Sequence, residues 1–337
     1  MNANIASKPT SFRAYLTIRM NNRIGIIGAG IAGAWLANQL SQQGNWVTVF
    51  EKSRGLGGRL ATRRLDDITF DHGAQFFTAR TQEFQNLLDI HREHIADWQP
   101  KVMTIGDLPK PFKRNWFEPH YIGVPGMGAV CRQLLSDVQV ELGFEVQALY
   151  QTNTGWLLVT EDGKREEVDW VISTAPAEQT QKLIPSAPLE DVAYSPCFAL
   201  MVYLETPPSF DAAVIRGGPL EWLAVTASRH ARPTTSGIVA HATPEWSQDH
   251  FDEDRDTVSE SLLTVLGDLK VQVRSVAALH RWRYARVVTT HREPFWLDEE
   301  NQLAACGDWG VGANVEDAFT SANLLLEQLA SNDARSD

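Results

Sequence analysis

The amino-acid sequence predicts an α/β protein in which a nucleotide-binding βαβ unit precedes a second part of mixed α and β structure. A glycine-rich turn between an apolar β-branched run and a helix-like segment predicts the first βα step, and an acidic residue at the end of the next apolar run completes the pattern. The chain has 337 residues. At roughly 150 residues per domain, that length suits about two domains.

The βαβ unit covers three segments. Residues 23–27 form a short β-branched run that predicts a strand, and residues 31–42 have apolar side chains at helical spacing. Residues 46–51 read as the second strand. A strand, a helix and a second strand in this order predict two parallel strands joined by a crossover helix.

The turn between the first strand and the helix has the pattern GxGxxG. Gly28 permits a tight turn, Gly30 lets a pyrophosphate approach the backbone, and Gly33 allows close packing of helix on strand. The first helical residues, Ile31 and Ala32, offer free N–H groups to the phosphates. An incidental glycine-rich turn is the structural alternative, but the strand and helix around the motif favour a dinucleotide site.

Glu51 stands 21 positions after Gly30, at the end of the second strand. A carboxylate at this place accepts hydrogen bonds from both hydroxyls of the adenosine ribose. The sequence therefore disfavours a preference for a 2′-phosphorylated dinucleotide at this site.

Composition and charge exclude several classes of protein. The formal net charge is −12 and no basic run stands out, which argues against a nucleic-acid binder. The three cysteines have no CxxC spacing, so we expect neither a disulfide framework nor a metal site. The longest apolar stretch, residues 24–37, is too short to span a bilayer and contains four glycines. We expect a cytoplasmic protein that does not associate with membranes.

A loop rich in glycine and arginine follows the second strand. It contains Lys52, Arg54, Gly58 and Arg59, and it resembles the Gly-Gly-Arg motif of the FAD-containing amine-oxidase superfamily. The resemblance implies that FAD is the cofactor and that Arg54 or Arg59 neutralises its pyrophosphate. A solvated basic loop is the alternative.

A second match to that superfamily lies near the C-terminus. Gly307 and Asp308 precede Asn314, Val315 and Glu316, at the start of a predicted helix over residues 315–330. The resemblance implies that Asp308 hydrogen-bonds the ribityl or pyrophosphate part of FAD. It further implies that the N–H groups of Val315 and Glu316 face flavin N1 and O2, with the Glu316 side chain pointing away.

Two weaker matches lie between these ends of the chain. Residues 169–176 resemble the third strand-to-loop motif of the superfamily, and Val146 matches the position whose backbone meets adenine. We expect hairpin-linked antiparallel strands at 138–140, 145–150, 156–160 and 168–173, and a helix over residues 82–96.

Within the superfamily the chain resembles the renalases, particularly the bacterial ones. The stretches that carry the resemblance are residues 50–59, 71–80, 124–127, 241–247, 280–286 and 306–309. It implies a fold like that of p-hydroxybenzoate hydroxylase, a Rossmann-type FAD-binding domain with a mixed α+β substrate domain. It also implies oxidation of the 2- and 6-dihydro isomers of NAD(P) to NAD(P)⁺, with O₂ reduced to H₂O₂.

Such a reaction depends on positioning, because a dihydropyridine expels hydride without prior removal of a proton. We expect aromatic walls and polar guides at Gln75, Phe76, His241, Trp282 and Trp309, with Gln75 also next to the flavin. Arg281 or Arg283 would contact substrate phosphates. The renalases tend to have Tyr at Phe76, and bacterial members have Arg at Asn314.

The expected domains follow from composition and from the order of the predicted elements. Residues 1–22 would be a flexible tail, residues 23–80, 121–180 and 276–330 the FAD-binding domain, and residues 81–120 and 181–275 the substrate domain.

The sequence is also compatible with other functions. The runner-up is an amine oxidase or desaturase of the same superfamily, although residues 271–337 contain no lysine, which many amine oxidases place near flavin N5. A flavin monooxygenase and a non-catalytic flavin-binding scaffold are further alternatives. The expected partners are a small dihydronicotinamide and O₂; the sequence leaves the oligomeric state open, with a monomer as one option.

Overall fold

The computed structural model describes residues 21–115, 118–232 and 236–333. The predicted tail lies outside this part of the chain except for its last two residues. The helices are α1 (Ile31–Gln42), α2 (Gln82–Ile90), α3 (Ala129–Leu134), α4 (Ala177–Leu183), α5 (Pro244–Asp249), α6 (Arg255–Asp268) and α7 (Val315–Asp333).

The strands of the described chain fall into two large sheets and three small ones. They are β1 (Arg23–Ile27), β2 (Trp46–Glu51), β3 (Thr62–Leu65), β4 (Ile68–Asp71), β5 (Ile95–Asp97), β6 (Val102–Gly106), β7 (Phe112–Arg114), β8 (Tyr121–Gly123), β9 (Gln139–Leu142), β10 (Val146–Gln151), β11 (Trp156–Thr160), β12 (Arg165–Val168), β13 (Trp170–Ser173), β14 (Ala193–Leu204), β15 (Ala212–Arg216), β16 (Leu220–Val225), β17 (Gly237–Ala242), β18 (Val273–Thr289), β19 (Phe295–Asp298) and β20 (Leu303–Cys306).

The first large sheet has the order β19-β20-β13-β1-β2-β9 and is parallel except for β19. Helices α1, α3 and α7 contribute to one hydrophobic core on this sheet. Strand β1 lies between β13 and β2, so the glycine-rich turn after β1 opens at the carboxyl edge of the sheet. That edge is where open α/β sheets bind their ligands. The described fold confirms the predicted Rossmann-type α/β class.

The second large sheet has the order β18-β14-β17-β16-β15-β6-β7 and is antiparallel apart from the β15–β6 pair. One face packs on α6 through a core that includes Phe198, Ile238 and Leu262. The other face packs on β4, where Phe70 contacts Met201 and its neighbours. Residues 71–75, which begin at the last residue of β4 and are called the 71–75 loop below, therefore lie beside this sheet. The N–H of Ala74 donates to the carbonyl of Arg59 at 2.9 Å, which joins this loop to the Gly-Gly-Arg loop.

Two predicted elements differ from the structure. The helix predicted over residues 82–96 ends at Ile90, and β5 follows a single 3₁₀ turn. His91 and Arg92 stand where the apolar face of Leu87 and Leu88 would continue, so the helix has nothing further to bury.

The strands predicted as a hairpin series are divided between two sheets. Strands β10 and β11 are antiparallel as predicted, and their third partner, β12, was not predicted. Strands β9 and β13 are instead parallel members of the first sheet. All four residues of β13 are buried, which is typical of a parallel strand that is covered on both faces.

The division into two domains stays a prediction. Strand β18 lies mostly in the predicted FAD-binding domain, whereas β6 and β7 lie in the predicted substrate domain. All three strands belong to the second sheet. Among the described residues, no helix combines the length and the hydropathy that a membrane span requires.

Candidate active site

The phosphate-binding turn lies at the carboxyl end of β1, where the chain enters α1. Gly28 has a φ of +106°, which favours glycine, and a Cβ at Gly33 would overlap the carbonyl oxygen of Gly28. A Cβ at Gly30 would meet nothing within 4 Å. The space in front of Gly30 is therefore free for a ligand at the N-terminus of α1, where Ile31 and Ala32 begin the helix.

Glu51 is buried at the end of β2 and fixes the same turn. Its carboxylate accepts the N–H of Ala29 at 2.9 Å and the N–H of Ser53 at 2.8 Å. Each carboxylate oxygen has a second lone pair, so both can also accept a ribose hydroxyl. The N–H of Phe144 donates to the Glu51 carbonyl at 3.0 Å, which brings the chain just before Val146 to this end of the site.

The Gly-Gly-Arg loop packs directly on the phosphate-binding turn. The N–H of Gly57 donates to the carbonyl of Ala29 at 2.9 Å, and a Cβ at Gly58 would lie 3.3 Å from the Cα of Gly30. Glycines at these positions let two loops approach each other where a side chain would separate them.

The two predicted ends of the cofactor site meet at an ion pair. The Arg59 guanidinium donates to both carboxylate oxygens of Asp308, at 2.5 and 2.6 Å, although the residues are 249 positions apart. Asp308 is 3% exposed and Arg59 is 31% exposed at the side chain. A guanidinium has five N–H donors, so Arg59 can bind a phosphate while it holds Asp308.

The other basic residues of the loop take no part in this pair. Arg54 is exposed, and the Lys52 ammonium lies 3.3 Å from the side-chain oxygen of Gln179 on α4. Of the two arginines predicted to neutralise a pyrophosphate, the structure places Arg59 beside the turn.

The Glu316 side chain at the start of α7 binds the chain in front of α2. Its carboxylate accepts the N–H groups of Arg80 and Thr81, at 2.9 and 2.6 Å, so it points toward the start of α2. The expected approach of the Val315 and Glu316 N–H groups to the flavin stays a prediction. Asn314 bonds Asp317 through its backbone N–H at 2.8 Å and its side chain at 2.9 Å.

Trp309 differs from its predicted role as a wall of the substrate site. It is 0% exposed, its indole N–H donates to the carbonyl of Ala175 at 3.3 Å, and its ring fills the space beside Gly307. A side chain with no accessible surface cannot stack on a ligand. Trp309 instead joins the 307–310 turn to the loop after β13.

Gln75 is held by the protein on both sides of its amide. Its Nε2 donates to the carbonyls of Asp71 at 2.6 Å and Gly73 at 3.0 Å, and its Oε1 accepts from Arg229 at 2.7 Å. Because these bonds engage both ends of the amide, Gln75 shapes the 71–75 loop.

The carbonyl of His72 holds two of the predicted wall residues. The indole N–H of Trp282 donates to it at 2.9 Å, and Nε2 of His241 lies 3.2 Å away. A carbonyl only accepts, so His241 carries its proton on Nε2 and its Nδ1 is an acceptor. The Trp282 ring is also stacked on the His72 ring, with centroids 5.3 Å apart.

Three histidines in this region are neutral near pH 7. Burial is the main cause that lowers the pKa of His72, His241 and His280 to about 4. His280 lies against both His72 and Trp282, with ring centroids 4.7 and 4.2 Å apart. This face offers aromatic surface and neutral ring nitrogens.

Phe76 follows the 71–75 loop directly and belongs to a second group of aromatic side chains. Its ring contacts His120 and Trp222 with centroids 4.4 and 5.9 Å apart. It is partly exposed, so it keeps surface for a ligand.

Sequence reasoning missed the charged network under the 71–75 loop. Asp71 is buried and its carboxylate bonds Arg229 at 3.0 Å and Arg232 at 2.6 Å. Burial opposes ionisation of this carboxyl, but the two guanidinium charges outweigh it and lower its pKa. No local spacing signals this pairing, because the partners are about 160 positions away in sequence.

The residues around the turn fit FAD. The open space at Gly30, the free N–H groups of α1, the buried Glu51 and the Arg59–Asp308 pair supply the contacts that a pyrophosphate and a ribose need.

Comparisons with known proteins agree with this assignment. The sequence model of an NAD(P)-binding Rossmann-like domain matches residues 26–93, and that of the flavin containing amine oxidoreductases matches residues 113–324. Mouse renalase is 22% identical over 91% of this chain and 98% of its own length. The 4,4′-diapophytoene desaturase of Staphylococcus aureus is 43% identical over 51 residues, which are 15% of this chain and 10% of the desaturase.

Solved structures share the fold at low sequence identity. A fatty acid isomerase from P. acnes has a TM-score of 0.71 at 12% identity and covers 92% of this chain and 99% of its own. A putrescine oxidase has a TM-score of 0.72 at 11% identity, with coverage of 93% and 100%. The second family match spans more than half of the chain. This chain therefore belongs to the flavin containing amine oxidoreductases, and it is an FAD-dependent oxidoreductase.

Proposed function

We propose that this chain is an oxidase of the renalase type. In this proposal it converts the 2- and 6-dihydro isomers of NAD(P), with one proton and O₂, to NAD(P)⁺ and H₂O₂. FAD, when bound, supplies N5 as the hydride acceptor and passes the two electrons on to O₂. The protein's own task is then to orient the dihydropyridine ring and keep it dry.

The proposal rests on one arrangement, the pair of bonds to the His72 carbonyl. They fix the Trp282 ring and the tautomer of His241 together, and both side chains reach the 71–75 loop from strands of the second sheet, Trp282 from β18 and His241 from β17. An aromatic wall beside a fixed acceptor suits a flat ring that carries a carboxamide, because the ring stacks and the amide N–H donates to Nδ1.

The charge state of the region supports the same reaction. The three buried histidines are neutral near pH 7, since burial lowers their pKa values to about 4. A dihydropyridine needs no base, because its ring nitrogen already supplies the electron density that expels hydride. Orientation alone can contribute several kcal/mol to such a step, on the order of 7 in favourable cases.

The length of the match to mouse renalase adds support. That match covers nearly the whole of both chains, whereas the desaturase match is confined to 51 residues.

An amine oxidase of the same superfamily is the second candidate. The fold shared with putrescine oxidase is the observation that favours it. An amine substrate is a cation at neutral pH, and the buried groups that flank the 71–75 loop include Arg229 and Arg232. Asp71 compensates one of these two charges, and the positive charge that remains disfavours a cationic substrate near this loop.

The deciding experiment is an anaerobic titration of the purified holoenzyme. We expect the visible absorbance of the oxidised flavin to bleach with 2- or 6-dihydro-NAD(P) and to persist with putrescine and other primary amines. NADH, which is the ordinary 4-dihydro isomer, serves as the matched control for non-specific reduction. Bleaching by amines, with none by the dihydronicotinamide isomers, would establish the second candidate instead.

A further inference from the structure

A cavity of about 310 Å³ lies between α4 and the strands β14 and β18. Its wall includes Tyr194, Gln248, Phe251, Arg283 and Tyr284. None of the residues of the glycine-rich turn lines it. The cavity is therefore separate from the space in front of Gly30.

Arg283 brings a cation to this cavity, and its neighbour Arg281 does not. Arg281 donates to the carbonyl of Glu253 at 2.6 Å and stacks on Phe198, so it is part of the sheet packing. Arg283 is exposed and stacks on the ring of Phe251 at 4.5 Å. No carboxylate of the described residues pairs with it within salt-bridge distance.

The carboxylate that lines the cavity is already neutralised. Glu178 pairs with Lys182 at 2.6 Å, and hydrogen bonds from Lys182 and from the Tyr284 hydroxyl lower its pKa. The charge of Arg283 also lowers this pKa, so Glu178 faces two cations, Lys182 and Arg283, and one positive charge remains in excess at the cavity. A guanidinium that is held flat on an aromatic ring is well placed to receive a phosphate in its fork.

The rings and the size of the cavity indicate the rest of the ligand. Tyr194 and Tyr284 meet edge to face, with centroids 5.3 Å apart, and expose ring surface on which a flat base can stack. The volume is at the lower end of ligand pockets, which run from about 300 to 1,000 Å³. A cavity of this size suits one nucleotide and is too small for a whole dinucleotide.

Tyr194 connects the cavity to the flavin site. Its hydroxyl accepts the N–H of Ala177 at 3.0 Å, and burial together with the charge of Asp308 raises its pKa. The Tyr194 side chain thus lies between the cavity and the Arg59–Asp308 pair. A dinucleotide that places its reactive ring at the flavin can extend past Tyr194 with its other half.

We propose that this cavity binds the second nucleotide of a dinucleotide substrate and that Arg283 contacts one of its phosphates. This inference rests on the proposed function for the identity of the substrate. It adds a determinant of substrate size. The cavity would strengthen binding of a dinucleotide, whereas a substrate without the second nucleotide leaves the cavity empty.

Steady-state kinetics of Arg283→Ala test the inference. We expect KM for 6-dihydro-NAD to rise about tenfold, the effect of losing one charge-assisted hydrogen bond, with kcat unchanged. KM for the corresponding dihydronicotinamide mononucleotide should not change. Arg274→Ala is the matched control, because Arg274 also lies on β18 and stacks on an aromatic ring, Tyr203 at 5.2 Å, far from the cavity. Equal effects on both substrates, or the same effect in Arg274→Ala, would overturn the inference.

Binding of AMP to the oxidised holoenzyme gives a readout that does not depend on turnover. By calorimetry we expect binding to the wild-type protein, at least tenfold weaker binding to Arg283→Ala, and competition with 6-dihydro-NAD. Absent binding, equal binding to both proteins, or non-competitive inhibition contradicts the inference. If no dihydronicotinamide isomer reduces the wild-type flavin, the proposed function fails, while loss of AMP binding in Arg283→Ala still identifies a nucleotide cavity.

Discussion

The phosphate-binding turn and the 71–75 loop face the same region but are built from different groups. Around the turn, backbone atoms carry the geometry: the Gly57 N–H on the Ala29 carbonyl and the free space at Gly30. Around the loop, side chains carry it, as with Arg229 on Asp71 across 158 positions and Trp282 on His72 across 210.

Because of this difference, different kinds of substitution should disrupt the two regions. A backbone site depends on the absence of side chains, so a single methyl group is enough to block it. A side-chain network depends on charge balance and on satisfied hydrogen bonds, so removal of one partner exposes the others to burial without compensation. Substitutions in the two regions should therefore fail in different ways.

The largest expected effect is on stability in the loop network. Asp71→Asn leaves the guanidinium groups of Arg229 and Arg232 buried without a carboxylate. We expect the free energy of unfolding of the holoenzyme to fall by about 3–5 kcal/mol, measured by denaturant titration. Arg229→Met should cost less, because Asp71 keeps Arg232.

The exposed pair Arg80–Glu118, at 3.0 Å, provides the control. Glu118→Gln should cost less than about 1 kcal/mol, since solvent screens an exposed ion pair. If Asp71→Asn costs no more than Glu118→Gln, the loop does not depend on its charges.

Substitutions at two glycines of the turn should have distinguishable effects on stability and on FAD binding. Gly33→Ala forces a Cβ against the Gly28 carbonyl and should cost about 3 kcal/mol of stability, with loss of FAD. Gly30→Ala meets nothing in the protein, so the apoprotein should keep its melting temperature while FAD affinity falls.

Gly55→Ala, at an exposed glycine with open space around it, should change neither quantity. Melting temperatures of the apoproteins and FAD titrations by flavin fluorescence separate the cases. Full occupancy of FAD in Gly30→Ala and in a bulkier Gly30→Leu would contradict a pyrophosphate at this turn.

The same contrast explains how much the sequence could predict. The positions of Gly28, Gly30, Gly33 and Glu51 follow from local spacing, because all four belong to one βαβ unit. The meeting of Arg59 with Asp308 followed only from the resemblance. The burial of Trp309 and the partners of Gln75 depend on the register of two sheets and on contacts between distant segments, which no local pattern encodes.

The buried histidines predict a pH dependence of stability. Burial lowers the pKa of His72 from 6.5 to about 4, so below pH 6.5 the unfolded chain binds a proton that the folded chain does not. Stability should fall as the pH drops from 6.5 toward 4, with His72 contributing about 1.4 kcal/mol per pH unit. His72→Asn should reduce this slope, and the exposed His230→Asn is the control. Equal slopes in all three proteins would show that His72 titrates normally.

The smallest expected effect is a coupling between the two donors on the His72 carbonyl. Trp282→Phe or His241→Leu alone leaves one donor on that oxygen, whereas the double substitution leaves the oxygen without a side-chain donor. We expect the double variant to lose about 1 kcal/mol more unfolding free energy than the sum of the single variants. Trp156 donates to a different carbonyl, that of Asn301 at 2.8 Å, so Trp156→Phe combined with Trp282→Phe should be additive. An additive result for Trp282 and His241 as well would mean that the His72 carbonyl does not hold them as a unit.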